Sequence, residues 1–143
     1  MGAKASIFNQ HRSVYLIFTL ISCLLVSCGD SKAVQCSKVN QVVENEKTIS
    51  ASVNSDKLVD TATKLDSVVA ELKAVKVGDG NLQIRQNDLV GGYENLSKSI
   101  KNVAEAIDKS GSKNIKDSLK DLDRATDQKK LFIEKINNYC LSQ

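Results

Sequence analysis

Apolar residues return every three or four positions along most of this chain. Cys36, Val39 and Val43 open the first stripe, which ends near Ile49 or Val53. Leu58, Ala62, Leu65, Val69 and Leu72 form the second. Leu89, Tyr93, Leu96, Ile100, Val103 and Ile107 form the third. Ile115, Leu119, Leu122, Thr126, Lys129, Ile133, Ile136 and Cys140 form the fourth, with Phe132 and Tyr139 widening its face. Alternating steps of three and four place such residues along one side of an α-helix. Charged residues such as Lys116, Lys120, Asp121 and Lys130 fall on the opposite side. Helices of this kind hide their stripes against one another, and this spacing favours shallow crossing angles.

Three interruptions set the helix count. Gly78-Asp79-Gly80, within Val77 to Asn81, reads as a turn. Ser110-Gly111-Ser112 reads as a helix end, with Gly111 as its terminator. The stretch from Ser50 to Asp56 is ambiguous: Asn54 or Ser55 suits an N-cap, with Asp56 near the positive end of the helix dipole. If it breaks there, the chain has four helices; if it does not, one helix runs from about residue 33 to 76 and three result. Short connections make neighbours antiparallel. The fold class expected is all-α, an antiparallel up-down-up-down four-helix bundle, with three long helices as the alternative.

The cysteines help to decide. Cys36 lies near the start of the first stripe and Cys140 near the end of the last. In an up-down-up-down bundle of four those ends meet. In a bundle of three they lie tens of Å apart, and a disulfide needs Cα atoms within about 7 Å. A Cys36–Cys140 disulfide and a count of four therefore imply each other, and both are expected. No C-x-x-C pair is present, so the bond is read as structural.

The N-terminus has another pattern. Residues 1–13 are polar and carry Lys4 and Arg12 without an acid, and Val14 to Val26 carry no charge. That run is shorter than the roughly 20 residues of a membrane-spanning helix, and it matches the core of an export signal peptide. Leu25-Val26-Ser27-Cys28 follows directly and resembles the lipobox of bacterial lipoproteins. The resemblance covers residues 1–28. It implies a signal peptide over 1–27, diacylglyceryl attachment at Cys28, cleavage before it and acylation of the new amino terminus. A short tether would then cover 28–32 and the helical domain 33–143. Asp directly after the cysteine, the enterobacterial inner-membrane retention signal, is missing: Gly29 follows Cys28 and Asp30 comes one place later.

Composition narrows the chemistry. At 143 residues the chain is one ordinary domain, 41% hydrophobic and 26% charged, with no Pro or Trp. That mixture disfavours a β-sandwich or barrel. Cleavage after Ser27 removes the only histidine, His11, together with Lys4 and Arg12. A His general base, a His-bearing triad and a His-ligated zinc site are then excluded. Little of the net charge of +3 survives cleavage, so nucleic acid is not an expected partner. No Gly-rich phosphate loop is present. No catalytic residue, cofactor or metal is expected.

Weaker features stay open at this level. Asp117 and Asp121, and Asp123 and Asp127, are i,i+4 carboxylate pairs, but Lys116, Lys120 and Arg124 interleave with them, as on a solvated face. Asn95-Leu96-Ser97 matches the N-glycosylation pattern, which chance explains. Gly91-Gly92 inside a helical pattern costs roughly 2 kcal/mol relative to alanines. It calls for close helix approach, a kink, or a partner surface at Gly91, Gly92 and Tyr93 within the stretch Leu82 to Tyr93.

A lipobox followed by a compact, Cys-linked helical bundle resembles helical lipoproteins of cyanobacteria. Its architecture is similar to that of the lumenal accessory lipoproteins of photosystem II. The resemblance is at the level of fold and transfers no functional residue. It implies an envelope protein held in the inner or outer membrane through lipid on Cys28, with a non-catalytic binding or scaffolding role toward a protein partner. The alternatives are a membrane-tethered small enzyme or solute-binding protein, and a structural spacer.

Overall fold

The computed structural model describes residues 30–50, 57–109 and 112–142. Cys28 with its signal segment, and also Val53, Asn54, Ser55, Asp56 and Gly111, lie outside the described residues. Four helices are present among the described residues: α1 (Lys32–Ser50), α2 (Leu58–Ala74), α3 (Gly80–Asp108) and α4 (Ser112–Leu141). No strand occurs among the described residues. The protein is an all-α four-helix bundle.

Side-chain bonds between helices give the topology. Gln35, at the start of α1, reaches Gly78 and Asp79 beyond the end of α2. Along α2 and α3, Leu72 meets Gln86 while Ala62 meets Ser97. Along α3 and α4, Asp79 meets Tyr139 while Asn95 meets Gln128. Along α1 and α4, Cys36 meets Cys140 while Glu46 meets Lys129. In the last three pairs one number rises as the other falls, and the start of α1 lies at the end of α2, so each helix runs antiparallel to its neighbours, and α4 closes the ring on α1.

The core follows the stripes through most of its length. Val39, Val42 and Val43 of α1, Ala62, Leu65, Val68, Val69 and Leu72 of α2, and Leu89, Val90, Tyr93, Leu96 and Ile100 of α3 form one buried cluster. Ala125 and Ile136 join it from α4, with Leu122, Phe132, Ile133 and Cys140 partly buried against it. Two stripe positions depart from this pattern: Ile107 is 48% exposed and Leu119 45%. The cause is length. α3 and α4 have 29 and 30 residues against 19 and 17 for α1 and α2, so the α3–α4 hairpin runs past the described parts of its neighbours.

The α2–α3 connection, residues 75–79, lies two residues earlier than the expected turn over Val77 to Asn81. α3 begins at Gly80, because the Asp79 carboxylate accepts the Leu82 N–H at 2.8 Å and caps the helix. That brings Leu82 and Gln86 onto the buried side of α3, ahead of Leu89.

Candidate functional site

One end of the bundle gathers the start of α1, the end of α2, the start of α3 and the end of α4. Cys36 and Cys140 are bonded there, their Cα atoms 5.8 Å apart. This agrees with the pairing expected for a count of four. Two glutamines then tie down the α2–α3 connection. Gln35 Oε1 accepts the N–H groups of Gly78 at 2.7 Å and Asp79 at 3.0 Å. Gln86 Nε2 donates to the carbonyls of Leu72 and Val75. Both side chains are buried: Gln35 engages main-chain N–H groups of the connection, and Gln86 engages carbonyls at and just beyond the end of α2.

Tyr139 is the outer part of the same end. Its hydroxyl donates to Asp79 Oδ1 at 2.7 Å. Its ring lies between two cations, with Lys32 Nζ 3.9 Å and the Arg85 guanidinium carbon 4.4 Å from the centroid. The Tyr139 bond, then the Leu82 N–H, hold the Asp79 carboxyl below the usual carboxylate range. The bond to Asp79 raises Tyr139 in turn. Ile84, Arg85, Asp88, Lys135, Asn138, Tyr139 and Ser142 line an open groove beside this stack.

A second polar group sits inside the bundle. Glu46, Tyr93 and Lys129 come from α1, α3 and α4. Lys129 Nζ is 3.1 Å from Glu46 Oε1, with side-chain exposures of only 12% and 3%. The fully buried Tyr93 donates its hydroxyl to Glu46 Oε2 at 3.2 Å. Burial, and then the charge of Glu46, push the Tyr93 phenol far above its ordinary value. Each member faces the others within the packed core, so the group binds three helices in one register.

The structure also places the glycine pair. A β-carbon on Gly92 would lie 2.9 Å from Phe132 Cδ2 and 3.4 Å from Lys129 Cα, whereas one on Gly91 meets nothing within 4 Å. Gly92 therefore allows α4 to approach α3. Gly92 and Tyr93 are buried, so neither is open to a partner docking from outside. The Ser97 hydroxyl of the apparent glycosylation pattern lies 2.6 Å from Asp66 Oδ1 and 3.1 Å from the Ala62 carbonyl, and it packs α3 on α2. Asp121 pairs with Arg124 at 3.1 Å and Asp127 with Lys130 at 3.7 Å, on an exposed face. No group of metal-binding side chains occurs among the described residues.

Sequence reasoning missed Gln35, Gln86 and Glu46, which are polar residues on buried positions. Their only signal was a polar residue beside or in step with an apolar stripe: Gln35 before Cys36, Gln86 three before Leu89, and Glu46 three beyond Val43. Comparison of the chain with protein-family models, curated proteins and solved structures returns no match.

Proposed function

We propose that this protein is a lipid-anchored component of a bacterial cell envelope, and that its bundle binds or scaffolds a protein partner without chemistry of its own. The observation that carries the reading is Leu25-Val26-Ser27-Cys28 at the end of a signal-like core, directly before a cross-linked bundle. No described helix is long and apolar enough to cross a membrane. Lipid on Cys28 would supply the attachment, since two or three acyl chains hold where one holds only marginally. The α3–α4 hairpin, with Ile107 and Leu119 about half exposed, is the surface offered to a partner.

The test is the intact mass of the protein purified from membranes, with and without reduction. The expected mass is that of residues 28–143 plus acyl chains, rising by two hydrogens on reduction. An unacylated mass starting at another residue, or one retaining residues 1–27, overturns the anchor.

Solute binding is the rival, favoured by one observation: a polar groove between α3 and α4 lined by Asn95, Lys98, Ser99, Asn102, Asp121, Arg124 and Gln128. A saturable rise in melting temperature with a small polar solute, lost in Asn102→Ala, would favour it over scaffolding.

A further inference from the structure

We infer that the end of the bundle carrying Tyr139, Ile84 and Leu141 is a membrane-contact face, which rests against anionic phospholipid headgroups. This deepens the lipid-anchor reading and rests on it.

Chain length sets the orientation. Asp30 is two residues beyond Cys28, so an extended chain separates their Cα atoms by about 7 Å at most. Asp30 has little freedom to add to that reach. Its carbonyl accepts from Gln35 Nε2 and its carboxylate pairs with Lys38, so it is fastened to the first turns of α1. A lipid on Cys28 therefore holds the start of α1 at the headgroups. The end of α2, the start of α3 and the end of α4 come with it.

The surface brought to the membrane is suited to that position. Leu141 is 81% exposed and Ile84 61%, the two most exposed large apolar side chains among the described residues. Ile84 lines the groove with Arg85, Lys135 and Tyr139, and Leu141 follows Tyr139 closely on α4. Lys32, Lys38, Lys76, Arg85 and Lys135 stand at this end against Asp30, Asp79 and Asp88, with Asp30 paired to Lys38. Asp79 is already engaged by Tyr139 and the Leu82 N–H. Exposed apolar tips among cations fit the boundary of headgroups and acyl chains, where the tips enter and the cations meet phosphate. Tyr139, clamped between Lys32 and Arg85, presents those cations as one unit.

The absence of tryptophan from the chain provides a clean probe. Ile84→Trp, Leu141→Trp and Leu119→Trp variants of the full chain are expressed, processed in the cell and purified, and acylation is measured on each sample. They are reconstituted into phosphatidylcholine vesicles containing phosphatidylglycerol as the minority lipid, with lipids brominated near the top of the acyl chain as quenchers. Circular dichroism checks the fold. Several-fold stronger quenching is expected for Ile84→Trp and Leu141→Trp than for Leu119→Trp, and it weakens when phosphatidylglycerol is left out. Acylated protein with equal quenching at all three positions overturns the contact face and leaves the anchor standing. Quenching that ignores phosphatidylglycerol overturns the choice of an anionic surface. Protein without acyl chains overturns both readings.

Discussion

Lys129 and Glu46 meet inside the bundle, Nζ to Oε1 3.1 Å, although 83 positions separate them in the chain. Their pairing fixes the height of α4 against α1, and Tyr93 adds α3 through the other carboxylate oxygen. Removing one member leaves a buried charge with less compensation. Lys129→Met should cost on the order of 3 kcal/mol in urea unfolding. Glu46→Leu and Lys129→Met combined with Tyr93→Phe, which removes the hydroxyl that Glu46 accepts, should recover most of that loss, since replacing a whole buried polar group by apolar side chains is close to neutral. A triple variant no more stable than Lys129→Met alone would show that the group is net stabilising as a unit.

The two adjacent glycines should respond in opposite directions. Gly91→Ala adds a methyl group into open space and should stabilise α3 by up to about 1 kcal/mol. Gly92→Ala drives a methyl group against Phe132, where overpacking costs about 1–3 kcal/mol and exceeds the gain in helix propensity. Phe132→Leu in the Gly92→Ala background should restore part of the loss. Chemical unfolding of the three variants measures all of this.

The Cys36–Cys140 bond closes a loop of 104 positions. The chain-entropy account gives roughly 4.7 kcal/mol for such a loop, and measured values commonly fall to about 2–4 kcal/mol. Reduction, or a Cys36→Ser and Cys140→Ser double substitution, should lower the melting temperature by about 10–20 °C. Thermal scans with and without reductant check this, and an unchanged midpoint would remove the bond from the account of stability.

Two tyrosines set the alkaline limit. Tyr93 and Tyr139 both have raised values in the fold, Tyr93 chiefly through burial and Tyr139 chiefly through Asp79. Their stabilising effect is complete below the unfolded value of about 10 and declines above it, because the unfolded chain ionises first. Unfolding midpoints should fall steeply above about pH 10, and Tyr93→Phe should flatten that decline. At the other extreme Asp79 is lowered, so its contribution is present above the unfolded value near 3.9 and is lost as pH falls through the lower folded one. Asp79→Asn should therefore weaken the acid dependence. Urea titrations across pH measure both limbs.

The fold was readable because burial and periodicity agree over most of the chain. Val39, Leu65, Leu72, Leu89 and Tyr93 are all closed to solvent on stripes the spacing identifies. The count of four followed from two cysteines at opposite ends of the pattern. Periodicity says nothing of how long each partner helix is, so it assigned Leu119 and Ile107 to a core that does not reach them. The turn was placed two residues too late because its glycines marked it, while Asp79, a capping residue inside it, set where α3 begins. Tyr93 was placed correctly on its stripe but offered as a surface, since spacing shows which side of a helix faces inward and not what closes over it. Gln35, Gln86 and Glu46 stayed hidden for a related reason. A buried polar residue is recognised by its partner, and those partners are distant in sequence: Gly78, the Leu72 carbonyl and Lys129.

The disulfide also has a mechanical meaning. Cys36 lies one turn into α1, at the end from which the chain leads back toward Cys28. If the chain is anchored there and a partner holds α4, tension enters at Lys32, passes to Cys36 and crosses into α4 through a covalent bond. It bypasses the remainder of α1, all of α2 and all of α3. The weakly held part under load is then the few residues before Cys36, and the packed interior stays outside the line of force. Cutting that bond would reroute the same pull through noncovalent helix contacts and peel α1 away from its first turn.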